Sequence, residues 1–168
     1  MPKAPNYGIL EYKRGKFSLI NEYLRKNRQD TAEKEKFERI IADIDHEMNK
    51  NIAFSVLYRG ASLLEFNVKS KDQLARKINT NRFWKNYVST TSEKYIAIQF
   101  SQGILLKINT NPQIDFVNMM DYDKKYMKHQ SNEKEILLKY GTSYKITQIG
   151  EEISQKGIHY FPVDITLS

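Results

Sequence analysis

Two carboxylates two residues apart, Glu133 and Glu135, lead into the apolar run Ile136-Leu137-Leu138. In an extended segment, residues two apart point to the same face. Like charges on one face repel, and a fold usually avoids that unless a cation or a reaction uses them. An exposed strand edge, offset by Lys134 and Lys139, accounts for the pair equally well. Arg59 closes a second apolar run and is followed by Gly60. A guanidinium fork beside a backbone that lets a ligand come close suits a phosphate oxygen. Ser89-Thr90-Thr91 puts hydroxyls at the end of a third run, where they can orient a carboxylate. Taken singly, Arg59 is better explained as a salt-bridged strand-end residue, and the hydroxyl run by strand propensity. The combination and its order carry the information.

The elements that must hold these groups follow from periodicity. Phe17, Ile20, Tyr23 and Leu24 recur at helical spacing, with Leu19 beside them. Asp30 and Glu33 have the spacing of a capping box for a second helix, whose apolar face is Phe37, Ile40, Ile41, Ile44 and Met48. After Asn51 the pattern changes to short β-compatible runs: Ala53 to Tyr58, Tyr87 to Thr90, Ile104 to Ile108, Glu135 to Tyr140, Tyr144 to Ile149 and Ile158 to Leu167. Lys71 to Ile78 and Glu93 to Phe100 read as short helices. Helices first and many strands afterwards predict an α+β fold.

Composition bounds the chemistry. A chain of 168 residues with 40% apolar and 28% charged residues suits one globular domain. Residues 1–11 are expected to be a flexible N-terminal arm, and 12–168 a single domain. The formal charge of +7 favours an anionic partner, although charge alone is more simply a basic solvated surface. No cysteine is present, which excludes disulfides and thiolate metal sites. His46, His129 and His159 lack ligand spacing, so no metal is expected. Neither a signal-peptide pattern nor a membrane-length apolar run occurs, so the expected setting is the cytoplasm, with no membrane partner.

Together the motifs resemble the arginine-type mono-ADP-ribosyltransferases, the group of the cholera-toxin-like, binary-toxin and phage enzymes. The resemblance runs over roughly residues 12 to 165. Tyr12 to Arg25, with Ile20-Asn21 and Leu24-Arg25, is similar to the family's opening helix. Val56 to Gly60, Asn86 to Thr91 and Glu133 to Leu138 resemble its arginine strand, Ser-Thr-Ser segment and Glu-x-Glu strand. The resemblance implies N-terminal helices on a core of two antiparallel sheets, with NAD as substrate in a central cleft. It implies that Arg59 binds an NAD phosphate, that Ser89 orients Glu135, and that Glu135 is the catalytic carboxylate. Glu133 would take the acceptor arginine. Gly60, Asn86, Thr90 and Phe100 would complete the NAD site. The loop Asp121 to Asn132, with Tyr122 and Tyr126, would recognise the target.

Two departures accompany it. Thr91 replaces the last serine, which keeps a hydroxyl. The second arginine that many members carry after the Ser-Thr-Ser segment is missing: from Ser92 to Leu106 only Lys94 is a cation, with Arg82 or Lys85 as substitutes. The expected activity is transfer of ADP-ribose from NAD to a protein arginine. Alternatives are an RNA or DNA acceptor, an NAD glycohydrolase, and a catalytically dead nucleic-acid-binding module. The resemblance suits a phage enzyme or a bacterial toxin, the latter with an antitoxin or immunity partner.

Overall fold

The computed structural model describes residues 6–120 and 134–168. Five α-helices are among them: α1 (Tyr7–Glu11), α2 (Phe17–Arg25), α3 (Lys34–His46), α4 (Lys71–Ala75) and α5 (Lys94–Gln99). The strands are β1 (Val56–Ala61), β2 (Arg82–Phe83), β3 (Val88–Thr91), β4 (Ile104–Asn109), β5 (Phe116–Asn118), β6 (Glu135–Leu138), β7 (Ser143–Ile149), β8 (Ile153–Gln155) and β9 (Ile158–Leu167). The α+β layout holds, with α1, α2 and α3 at the N-terminal end of the chain and the short α4 and α5 between strands.

The strands follow the order β2-β7-β9-β4-β1-β3-β6-β5, with β8 added on β9. Every pairing is antiparallel except β4 with β9. The two expected sheets are therefore linked into one ladder. The link is slight: β1 and β3 share one registered pair, Tyr58↔Thr91. The sheet is weakest there, and Arg59 and Ser89 flank that seam.

Both faces of β6 are covered, which is why it reads as a continuous apolar run. Ile136 and Leu138 join the main core with Leu57, Ile104, Ile146 and Val163. Leu137 points the other way, into a second core formed with Ile20, Tyr23, Ile40, Ile44 and Tyr87. The predicted apolar face of α3 is buried as expected, Met48 partly so. On α2 the buried residues are Ile20, Tyr23 and Leu24, whereas Phe17 and Leu19 are exposed.

Two local expectations are corrected. The arm over residues 1–11 gives way from Tyr7 onward to α1, with Ile9 fully buried and Asn6 accepting from the Ile9 amide at 2.9 Å. Gly8 makes this possible, because a Cβ there would lie 2.5 Å from the Asp43 Cβ on α3. Asp30 does not cap α3, which starts at Lys34 after Glu33 and has no side-chain cap; Asp30 instead pairs with Lys34 at 2.9 Å. Strands β2, β5 and β8 are too short to show an alternation.

Candidate active site

The seam between β1 and β3 opens into a cleft of about 730 Å³, walled on one side by strands and on the other by the start of the helical layer. Glu135 sits at its base, 8% exposed. The β3–β6 register sets this position: Thr91 faces Glu135 and Ser89 faces Leu137, so Ser89 and Glu135 lie on one face, diagonally opposed. The Ser89 hydroxyl donates to Glu135 Oε2 at 2.6 Å. The Lys13 ammonium donates to the other carboxylate oxygen, Oε1, at 2.9 Å, and that lysine side chain is itself buried.

Arg59 also lines the cleft. Its Nε donates to Glu65 Oε1 at 2.9 Å and its Nη1 to the Ser89 carbonyl at 2.9 Å. Glu65 also accepts from the Trp84 indole at 3.2 Å. The guanidinium is thus held by two groups and bridges the seam where the strand ladder is thinnest. Asn86 is in the wall, its side-chain amide donating to the Tyr87 carbonyl at 2.7 Å. Phe100, just past α5, presents an exposed ring to the same cleft.

Two of the expected NAD-site residues do other work. Thr90 pairs with Ile136, on the opposite face from Ser89, and its buried hydroxyl donates to the Ile136 carbonyl at 2.6 Å. Strand alternation turns it away from the cleft. Gly60 is not part of the cleft wall. A Cβ there would lie 2.5 Å from three backbone atoms, of Ala97, Phe100 and Ser101, so the glycine admits the end of α5. Glu133, Tyr122 and Tyr126, with the rest of the expected recognition loop to Asn132, lie outside the described residues.

The helical wall supplies groups that the motifs did not single out. After α1 the chain kinks across Tyr12–Lys16, where Gly15 leaves helical geometry with φ 129°. Nothing crowds a Cβ at Gly15, so the left-handed backbone, not space, calls for glycine there. The kinked segment presents Lys13 and Arg14, and α2 adds Asn21 and Arg25. Buried Tyr12 accepts from the Asn21 amide at 2.9 Å, and Asn21 accepts from the Tyr87 backbone amide at 3.2 Å. Burial, and then the nearby Glu135, push the Tyr12 phenol well above its usual value, so it stays protonated.

Among the described residues, four cations (Lys13, Arg14, Arg25 and Arg59) and one carboxylate line this cleft. A second lobe of about 640 Å³ adjoins it, sharing Arg25, Arg59 and Asn86 and adding Lys85. Arg82, also in that lobe, is turned to the Phe66 carbonyl and the Tyr144 hydroxyl, both at 3.3 Å. The missing second arginine is thus answered from the helical side. Two lobes joined at a cationic waist, with Glu135 in one and Glu65, tied to Arg59 and Trp84, in the other, fit an elongated ligand with anionic groups at its middle. The donor set suits a dinucleotide: guanidinium and ammonium groups for a diphosphate, and a carboxylate for a ribose hydroxyl. No group of three or more His, Asp or Glu among the described residues could hold a metal ion, and no described helix is long and apolar enough to cross a membrane.

Comparison with known proteins agrees with this geometry. The sequence model of the ADP-ribosyltransferase exoenzyme family matches residues 4–167. No curated protein matches the chain. Among solved structures, the fold is similar to that of the ADP-ribosylating toxin BECa of a binary enterotoxin of C. perfringens, crystallised with NADH, at TM-score 0.73 and 20% identity over 96% of this chain. The match spans only 42% of the BECa chain. Plx2a, an ADP-ribosyltransferase toxin from Paenibacillus larvae, gives TM-score 0.74 and 20% identity over 97% of this chain and 85% of its own. C3larvin, an ADP-ribosyltransferase from the same species, gives 0.68 and 21% over 99% and 88%.

Proposed function

Since the chain belongs to the ADP-ribosyltransferase exoenzyme family, we propose that it transfers ADP-ribose from NAD to an arginine of a target protein, with Glu135 as the catalytic carboxylate. The observation that carries this reading is the Ser89–Glu135 hydrogen bond of 2.6 Å beside Arg59 in one cleft. Ser89 fixes the carboxylate so that it need not reorganise during the reaction.

In the reaction the bond between the ribose carbon and the nicotinamide nitrogen breaks. Nicotinamide departs neutral with the bonding pair, and positive charge develops on the ribose. Glu135 accepts a hydrogen bond from the ribose 2′-hydroxyl and stabilises that charge, which is the kind of electrostatic term that dominates many enzymatic rate enhancements. Arg59, Arg25 and Arg14 bind the diphosphate. Phe100 offers an apolar ring beside the nicotinamide. A guanidinium nitrogen of the acceptor then bonds to the ribose carbon and gives up one proton. Glu133 binds the acceptor guanidinium through a charge-assisted fork and takes that proton. Tyr122 and Tyr126 contact the target surface. The setting we propose is the cytoplasm of the cell whose proteins are modified, with the chain acting as a toxin or as a phage enzyme.

The test is a pair of variants with labelled NAD and a bacterial lysate. Glu133→Gln is expected to abolish label on protein while nicotinamide release persists; Glu135→Gln is expected to lose both. Label that survives protease and is removed by nuclease would transfer the acceptor to RNA or DNA. Release without label in the wild type would make the protein a glycohydrolase. Neither release nor label would leave a binding module.

A further inference from the structure

The Lys13–Glu135 ion pair poses a problem that the proposed reaction does not resolve. Lys13 and Ser89 together occupy both oxygens of the carboxylate. In the proposed reaction this carboxylate faces a positive charge developing on the ribose, and a cation fixed against it would oppose that development. The pyridinium ring of NAD is itself cationic, so in charge terms Lys13 stands in for the reacting end of the substrate. Its turn carries the left-handed Gly15 backbone, and Arg14, the next residue, also lines the cleft.

We propose that Lys13 is a dinucleotide-binding residue that exchanges partners: its ammonium leaves Glu135 and pairs with the diphosphate when the substrate's own cation arrives at the carboxylate. The inference rests on the reading that this cleft takes NAD. In both states every buried charge then keeps an opposite one, which a buried ion pair demands. Lys13 also provides part of the cationic contact that the absent arginine after the Ser-Thr-Ser segment would have made. A further consequence concerns ligands without the pyridinium. ADP-ribose must draw Lys13 from Glu135 with no cation to replace it, so the ion pair lowers the affinity for ADP-ribose more than for NAD.

Isothermal titration calorimetry with ADP-ribose on four proteins tests this: wild type, Lys13→Met, Glu135→Gln and the double variant. Glu135→Gln is expected to tighten ADP-ribose binding roughly fivefold, because Lys13 is no longer held back. Lys13→Met is expected to weaken it, and the Glu135→Gln gain is expected to vanish in the Lys13→Met background. That non-additivity is the signature of the exchange. A gain of equal size in both backgrounds would mean that the carboxylate merely repels the diphosphate, and would overturn the proposal. No gain in either background would overturn it as well. If Lys13→Met alone folds poorly, Lys13→Gln, which keeps a hydrogen-bond donor without the charge, takes its place in the cycle, and Lys13→Arg, which restores the cation, is expected to keep the Glu135→Gln gain. Binding of neither ADP-ribose nor NAD to the wild type would remove the reading of the cleft itself, a result distinct from a failed exchange.

Discussion

On the sheet side of the cleft, Ser89 and Glu135 sit on strands tied by four registered pairs, with Arg59 pinned to Glu65 and to the Ser89 carbonyl. On the helical side, Lys13 and Arg14 ride a turn broken at Gly15, and Asn21 and Arg25 project from α2. The two walls are held by different means. The sheet wall is fixed by backbone ladders. The helical wall is held by the second apolar core and by side-chain polar contacts: Tyr87 and Tyr140 both donate to Asp45, at 2.6 and 2.7 Å, and Arg28 donates to Tyr140 and Glu38. The difference teaches where precision is needed. On the proposed reaction the carboxylate that meets developing charge has to be preorganised, whereas Lys13, Arg14 and Arg25 need only reach a diphosphate.

Substitutions in the sheet wall should therefore be the most damaging to chemistry. Glu135→Gln is expected to lower nicotinamide release by about 10²- to 10³-fold, and to lower the melting temperature as well, because the buried Lys13 ammonium loses the Glu135 charge. A loss below tenfold would mean that the sheet wall is not the chemical side. Gly60→Ala comes next. Its Cβ would meet three backbone atoms at 2.5 Å, none of which is a flexible side-chain end, so we expect a loss of about 3 kcal/mol of stability. Urea unfolding measures it, and a neutral result would show that the junction of β1 and α5 is looser than the sheet-wall description requires. Asp45→Asn probes the other wall. One amide replaces an acceptor of two tyrosine hydroxyls and brings a donor against one of them. We expect about 2 kcal/mol of lost stability and weaker NAD binding, with nicotinamide release at saturating NAD less affected than by Glu135→Gln. Unchanged stability would mean that the apolar core alone positions the helical wall.

The sheet wall was the legible one. Strand alternation carries it: Glu135 heading an apolar run, and Ser89 two residues before Thr91, are visible in one dimension. The same alternation should have removed Thr90 from the cleft, since it lies between two residues of the other face. The helical wall left a fainter trace. Lys13, Phe17, Asn21 and Arg25 are spaced four apart, the interval of one helix face, and all four line the cleft. Phe17 fits the buried stripe as well, because its apolar character suits either role. Gly60 beside Arg59 suggests ligand approach, but its reason is a helix end brought against β1 from almost forty residues further on, a tertiary demand that no local pattern shows. Helix α1 leaves no local pattern for a similar cause: five residues form a helix there because Gly8 lets them close on α3. The Asp30–Glu33 spacing fits a cap, yet α3 begins only at Lys34 after Glu33, so Asp30 stands a turn ahead of the helix and pairs with Lys34 at the surface.

The smallest expected effect lies in the polar network of the helical wall, and pH isolates it. Burial, and then the 2.6 Å hydrogen bond to Glu38, push the Tyr23 phenol up to about 12. An unfolded tyrosine titrates near about 10. The folded state therefore favours the protonated phenol. Its stabilisation is fully present below about pH 10 and is lost as pH rises through the folded value. Tyr23→Phe cannot lose it. At pH 8 we expect the variant to be less stable than the wild type by about 1 kcal/mol, the value of one hydrogen bond. By pH 11 the difference should have narrowed. The other tyrosines whose phenols are raised, Tyr12, Tyr87, Tyr140 and Tyr144, titrate in both proteins, so their contribution cancels in the comparison. Urea unfolding of the two proteins at both pH values gives the answer. A difference that stays constant would mean that Tyr23 titrates alike folded and unfolded, and that its bond to Glu38 adds nothing to how the helical wall is held.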